Sequence, residues 1–178
     1  MTIQQPIIVL LGGCSGSGKT LTGRTWAELH PPAAHFSTDD LVSGMWWSDE
    51  ADLSAHAAAV AAIVALGKAL VAEGCSCVLE DVFDPYDFEY LWKPLLKDVP
   101  NIKVAILDPG LEVAAQRDST RPAAKGFDVV AIQHAAIVQW PESMRIFNSR
   151  ITPEEAVELI DRLPMDNYSG PGVGDVFG

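Results

Sequence analysis

The stretch Ile7-Ile8-Val9-Leu10-Leu11-Gly12-Gly13-Cys14-Ser15-Gly16-Ser17-Gly18-Lys19-Thr20 decides the reading of this chain. Its first five residues are a continuous apolar run, the pattern of a strand buried on both faces at the centre of a parallel sheet. Residues 13–20 then match G-x-x-x-x-G-K-[ST] at every required position. Glycines let successive backbone N–H groups curl around a phosphate, and the helix that follows adds its positive end. In such a loop Lys19 bridges β- and γ-phosphates and the Thr20 hydroxyl binds Mg²⁺. Gly13, Cys14, Ser15, Gly16, Ser17, Gly18, Lys19 and Thr20 are therefore the expected nucleotide-binding residues. The loop by itself leaves the destination of a phosphoryl group open between water, protein and a small molecule.

Working outward, residues 19–29 read as a helix stopped by His30-Pro31-Pro32, and residues 34–37 as a second strand. Residues 41–52, with Gly44 and Trp46-Trp47, have no clear period. From about residue 54, apolar Val60, Ile63, Val64, Leu70 and Val71 recur at helical spacing until Gly74, which fits a C-terminal cap. Residues 75–79 give a third strand. Phe88, Leu91, Trp92, Leu95 and Leu96 mark a helix that Pro94 should kink or shorten. Strand 103–107, helix 111–117, a polar loop 118–126, helix 127–139 and a short strand 144–147 follow. Thr152-Pro153-Glu154-Glu155 opens the last helix as a capping box, with Pro164 as its stop. Alternating strands and helices imply an α/β fold with a mainly parallel sheet. One domain over residues 1–164 and a flexible Gly/Pro-rich tail over 165–178 are expected.

Asp39 and Asp40 close the second strand, at the sheet edge where ligands of open α/β folds collect. A carboxylate there accepts a hydroxyl proton or helps hold Mg²⁺, and Asp39 is the first to emerge; the alternative is an N-cap of the next turn. Glu80-Asp81 reach the same edge after Val78-Leu79, where such acids position Mg²⁺ or its waters or contact substrate, which makes Asp81, with Thr20 and Asp39, a candidate metal contact; the alternative is a strand-end cap. Arg117, Arg121 and Lys125 gather three of only 12 basic residues between two helices. That placement suggests a lid over a triphosphate at about 117–127, against the alternative of a solvated basic loop. Trp46-Trp47 and Phe83 with Tyr86 are candidates to wall an organic substrate, although core packing is the commoner use of each.

The loop 13–20, Ser37-Thr38-Asp39-Asp40-Leu41, Leu79-Glu80-Asp81-Val82-Phe83 and Gln116-Arg117-Asp118-Ser119-Thr120-Arg121 with Gly126 together resemble chloramphenicol phosphotransferase-like P-loop kinases. The likeness runs over residues 7–163 and shades into shikimate kinases, polynucleotide kinases and zeta toxins. It implies a three-layer fold whose five-stranded parallel sheet has the order 2-3-1-4-5. It also implies ATP with Mg²⁺, Asp39 as catalytic base, catalytic Lys19, Arg117 and Arg121 with the two arginines in the lid, and residues 148–152 bordering the adenine. The expected activity is transfer of a γ-phosphoryl group to a hydroxyl of a small organic acceptor. The alternatives are a polynucleotide or nucleotide-sugar kinase, or a nucleotide-binding module without catalysis. The N-K-x-D element of a GTPase switch is missing from the sequence.

Composition narrows the partners. The 178 residues carry 24 Asp and Glu against 12 Lys and Arg, a net charge of −12, which repels nucleic acid and gains nothing from an anionic membrane. A small anion in a local basic pocket remains compatible, so a nucleotide triphosphate and a hydroxyl-bearing substrate are the expected ligands, in a monomer or homodimer. The three cysteines, Cys14, Cys75 and Cys77, are odd in number and read as buried thiols. The uncharged N-terminus lacks a basic leader, and the longest apolar run, residues 53–67, is mostly Ala and too short to span a bilayer. A cytoplasmic location is expected.

Overall fold

The computed structural model describes residues 5–44 and 52–168. Strand β1 (Ile8–Gly13) is buried along its whole length. It pairs in parallel with β3 (Ser76–Glu80) on one side and β4 (Ile102–Leu107) on the other, Ile8 standing opposite both Cys77 and Ile102. β2 (Ala33–Ser37) lies outside β3, and β5 (Arg145–Ile146) outside β4. The sheet therefore runs β2-β3-β1-β4-β5, all parallel, as the resemblance implies.

Period-two alternation splits β1 between two cores. Val9 and Leu11 join Trp26 of α1 (Lys19–Leu29) and Val157 and Ile160 of α8 (Pro153–Arg162) on one face. On the other, Ile8 and Leu10 join Val60 and Ile63 of α3 (Asp52–Ala72) and Ile137 of α7 (Phe127–Ile137). Gly74, at φ +83°, ends α3, and the Cys75 N–H bonds the Leu70 carbonyl. The α8 capping box is formed in both directions between Thr152 and Glu155.

Several elements differ from the sequence reading. A six-residue helix α2 (Thr38–Ser43) takes in Asp39 and Asp40, expected at the close of the second strand, and the first residues of the stretch without a period; it is too short to show one, and the two acids suit its positive N-terminus. The segment around Pro94 forms α4 (Pro85–Asp87), a π turn (Phe88–Trp92) and α5 (Lys93–Leu96). The proline lacks the N–H that would continue α-type pairing, so the chain is wider just before it. Helix α6 (Leu111–Ser119) takes in Asp118, which the sequence reading put in a loop. Met144 belongs to a 3₁₀ turn ahead of the two-residue β5.

The short β5 leaves the outer edge of the first half of β4, whose other edge pairs with β1, without a strand, and the start of the expected tail fills the gap. Asp166 N–H bonds the Ile102 carbonyl, and the Asn167 amide both accepts from Val104 N–H (2.9 Å) and donates to Val104 C=O (2.8 Å). Tyr168 packs edge-on against Phe88. Residues 165–168 thus belong to the folded body, because a carboxamide supplies the donor and acceptor a strand edge needs. Residues 169–178 and the Trp46-Trp47 pair lie outside the described residues. The expectation that no apolar run reaches membrane length also changes: Ala55–Ala72 is 18 residues with mean hydropathy 1.9, long and apolar enough to cross a membrane by length and composition. Its Ala55, Ala59, Val60, Ile63 and Val64 are buried inside the fold.

Candidate functional site

The loop between β1 and α1 sits at the carboxyl edge of the sheet, against α6. Gly16 has φ +76°, and a Cβ there would collide with the Ala114 carbonyl, so only glycine lets helix and loop backbones touch. The loop closes on itself through Ser17 N–H to Cys14 C=O at 3.1 Å. The Lys19 ammonium spans its mouth, donating to Gly13 O (2.9 Å) and Cys14 O (3.2 Å). Burial draws the Lys19 pKa below its ordinary value, against the pull of Glu80, Asp39 and Asp81, whose fields converge on it.

The two acids at the end of β3 part company. Glu80 accepts from Thr20 Oγ1 at 2.8 Å and from His35 Nε2 at 2.7 Å. Burial alone would raise its pKa, but the bonds from His35 and Thr20, with the Lys19 charge, outweigh burial and hold it below the carboxylate norm. Asp81 instead accepts from Thr38 Oγ1 at 2.6 Å, from its neighbour Val82 N–H, and from His56 Nε2 at 2.7 Å. The Asp81 bond raises the His56 pKa, against burial. Of the expected metal contacts, then, Thr20 is joined to Glu80, while Asp81 faces α3. Asp39 stands exposed on the first turn of α2, close enough for its charge to act on both Lys19 and His56. Asp40 lines a separate cavity with Arg24, Glu28 and His35 on the outer side of β2.

Arg117 and Arg121 both come to the loop. With Gly16, Gly18, Lys19, Thr20 and Leu21 they line a cavity of about 370 Å³. Arg117 also borders an adjoining cavity of about 250 Å³ with Gly18, Leu21, Thr22, Asn148, Ile151, Thr152 and Pro153, and donates to the Asn148 and Ser149 carbonyls (3.2 and 3.4 Å). Asn148 is itself tied to the loop, its amide donating to Ser17 O at 2.7 Å. Arg121 donates to Ser15 Oγ at 3.2 Å, whereas the Lys125 side chain is exposed and its backbone N–H is held by Asp118. A larger cavity of about 550 Å³, between Pro6, Val71 and Pro100 at the opposite edge of the sheet, contains none of these groups.

Phe83 is buried against Phe88, Trp92 and Trp140 and is a core residue, while Tyr86 and Tyr90, exposed and 4.4 Å apart between ring centroids, remain at the surface. Sequence reasoning missed His35, His56, Asp118, Gln133 and the side-chain role of Asn148. Lone His, Asp and Gln residues carry no spacing signal; their partners lie in other segments of the chain.

No family model matches the sequence, and no curated protein matches it. Solved structures do. A candidate kinase from Chloroflexus aurantiacus superposes with a TM-score of 0.68 at 17% identity, over 90% of this chain and 100% of that one. The tunicamycin resistance protein of Deinococcus radiodurans gives 0.66 at 19%, over 91% and 98%. The APS kinase of Mycobacterium tuberculosis, in complex with AMPPNP and APS, gives 0.62 at 22%, over 88% and 96%. The structural neighbours are P-loop kinases, and the five-stranded parallel sheet with its phosphate-type loop after β1 is the P-loop kinase fold.

Proposed function

We propose that the protein is an ATP- and Mg²⁺-dependent phosphotransferase that moves the γ-phosphoryl group to a hydroxyl of a small organic acceptor. The convergence of Lys19, Arg117 and Arg121 on one cavity beside the Thr20–Glu80 pair carries this reading: three cations gather where a triphosphate needs them, in a chain of net charge −12. The hydroxyl of Thr20 and the carboxylate of Glu80, 2.8 Å apart, are hard oxygen donors of the kind Mg²⁺ takes, sparingly and with water completing its shell. They fit the metal, and Glu80 takes the part the sequence reading gave to Asp81. Bound there, Mg²⁺ would neutralise charge on the β- and γ-phosphate oxygens.

The chain's own groups divide the remaining work. Lys19 and the loop amides hold the phosphates, and Arg117 and Arg121 balance the charge that spreads over the transferring group. The cavity bordered by Arg117 and residues 148–153 takes the adenine. Asp39, facing Lys19 and His56, accepts the proton of the attacking hydroxyl. On the side of Asp39, the carboxylates of Asp81, Asp84 and Asp87 gather with it around the single imidazole of His56. Such a wall disfavours an anionic acceptor and favours an uncharged or cationic one, of the antibiotic or metabolite kind.

The direct test incubates purified protein with Mg²⁺, ATP and a panel of neutral, cationic and anionic alcohols, and looks by mass spectrometry for a phosphorylated product. Neutral or cationic products are expected; ATP binding without any product returns the protein to a binding module. In Asp39→Asn, transfer should fall by about 10²–10⁴, the usual worth of a positioned base, while nucleotide affinity stays within about twofold. Equal loss of both counts against the base role.

A further inference from the structure

Ser15, the third residue of the phosphate loop, is gripped from both ends of the arginine-bearing segment. Its N–H donates to Gln133 Oε1 on α7 at 2.8 Å, and its hydroxyl donates to Asp118 Oδ1 on α6 at 2.9 Å. Asp118 is 1% exposed, and its other oxygen accepts from Lys125 N–H (2.9 Å) and Gly126 N–H (3.1 Å), the residues that lead into α7. Arg121 completes the circuit, donating to Ser15 Oγ at 3.2 Å with its guanidinium 3.7 Å from Asp118 Oδ1. One buried carboxylate thus ties the phosphate loop, the end of α6, the start of α7 and the second lid arginine together.

We infer that Asp118 is a positioning residue that sets Arg121 against the phosphate loop, so that Arg121 reads the terminal phosphate of the bound nucleotide. The inference rests on the phosphotransferase reading above, in which residues 117–127 are the lid.

The donor and acceptor order leaves little freedom. An ionised carboxylate only accepts, so the Ser15 hydroxyl must spend its one proton on Asp118 and present its lone pairs to Arg121. The sequence of bonds is Arg121 to Ser15 to Asp118, and it holds in that direction only while Asp118 offers two accepting oxygens. An Asn at 118 has one. If its amide nitrogen faces residues 125 and 126, it meets two N–H donors; if it faces Ser15, the hydroxyl must turn and accept from it; in both cases Arg121 loses the carboxylate charge 3.7 Å from its guanidinium that holds it at the loop. The close approach of the Ala114 carbonyl to Gly16 keeps α6 pressed on the loop in either case, so the change is local to the circuit.

The experiment compares Mg²⁺–AMPPNP with Mg²⁺–ADP by titration calorimetry in wild type, Asp118→Asn, Arg121→Ala and the double variant. No acceptor is needed. Wild type should prefer the triphosphate analogue. Asp118→Asn should lose about tenfold of that preference, the worth of one charge-assisted hydrogen bond, with little change in ADP affinity. The double variant should be no worse than Arg121→Ala, because Asp118 acts through Arg121. A purely structural role predicts equal loss for both nucleotides and additive effects, and either result overturns the inference. Should Asp118→Asn fail to fold, Ser15→Ala cuts the same circuit; it should lose the same preference, and a preference left intact overturns the inference. A wild type that binds neither nucleotide overturns the phosphotransferase reading and this inference together. A wild type whose triphosphate preference survives in Asp118→Asn overturns the inference alone.

Discussion

Glu80 and Asp81 are neighbours in the chain, and each belongs to a different half of the site. Both are buried, and each accepts from a threonine hydroxyl and an imidazole. Glu80, on the side of the loop 13–20, has Thr20 and His35 with Lys19 close by, and its carboxyl is held below the ordinary range. Asp81, on the side of α3, has Thr38 and His56, and there it is the imidazole that moves, upward, among the charges of Asp81, Asp87 and Asp39. The same residue types serve opposite electrostatic ends because what surrounds them differs: the cations of the loop and α6 on one side, carboxylates around a single imidazole on the other.

The contrast breaks most severely at Lys19. Lys19→Ala removes the cation that spans the loop, and phosphoryl transfer should fall by about 10³ or more with weakened nucleotide binding as well. Turnover left unchanged, in a coupled assay at saturating ATP, would sink the assignment of the loop. A smaller and more selective effect separates the two acids. Glu80→Gln should raise the Mg²⁺ concentration for half-maximal activity by about tenfold, on the scale of altered metal support groups, whereas Asp81→Asn should leave that concentration within about twofold. A Mg²⁺ titration in which both variants move equally erases the distinction.

The smallest expected effect is one of stability. Folding raises the His56 pKa above 6.5, so its pairing with Asp81 contributes fully below that value and fades as the pH climbs through the higher folded value. The melting temperature of His56→Gln should therefore lag wild type by on the order of 2 °C at about pH 6, and by less at about pH 8.5. A lag that grows with pH would mean that His56 is paired as a neutral ring. Glu80 runs the other way: its depressed pKa stabilises the fold above the ordinary value of 4.5 and is lost as the pH falls.

Much of the fold was legible in short segments. The run before Gly13, the loop itself, the stop at Gly74 and the capping box at Thr152 each declare themselves within a few residues, because burial, positive φ and end-capping are local demands. The disturbance at Pro94 could be anticipated for the same reason, although not that it would take the form of a π turn. Helix α2 gave no signal, since six residues are too few for a helical period. Asn167 reads as part of a Gly/Pro-rich tail until β5 is seen to be only two residues long, which leaves Val104 in need of its amide.

The candidate site divides along the same line. Sequence alone determined the phosphate loop, the acids waiting at the strand ends and the clustering of Arg117 and Arg121, because each is a pattern of neighbours along the chain. Only the tertiary structure decided that Glu80 rather than Asp81 meets Thr20, that Asp40 turns away from the loop while the charge of Asp39 reaches Lys19, and that Asp118 is a buried tie rather than a loop residue. Period-two alternation sends adjacent strand residues to opposite faces, but what waits on each face comes from segments as distant in the chain as Val157 and Ile160 are from Val9. Their arrival depends on how the helices pack on the sheet, and no local pattern records it.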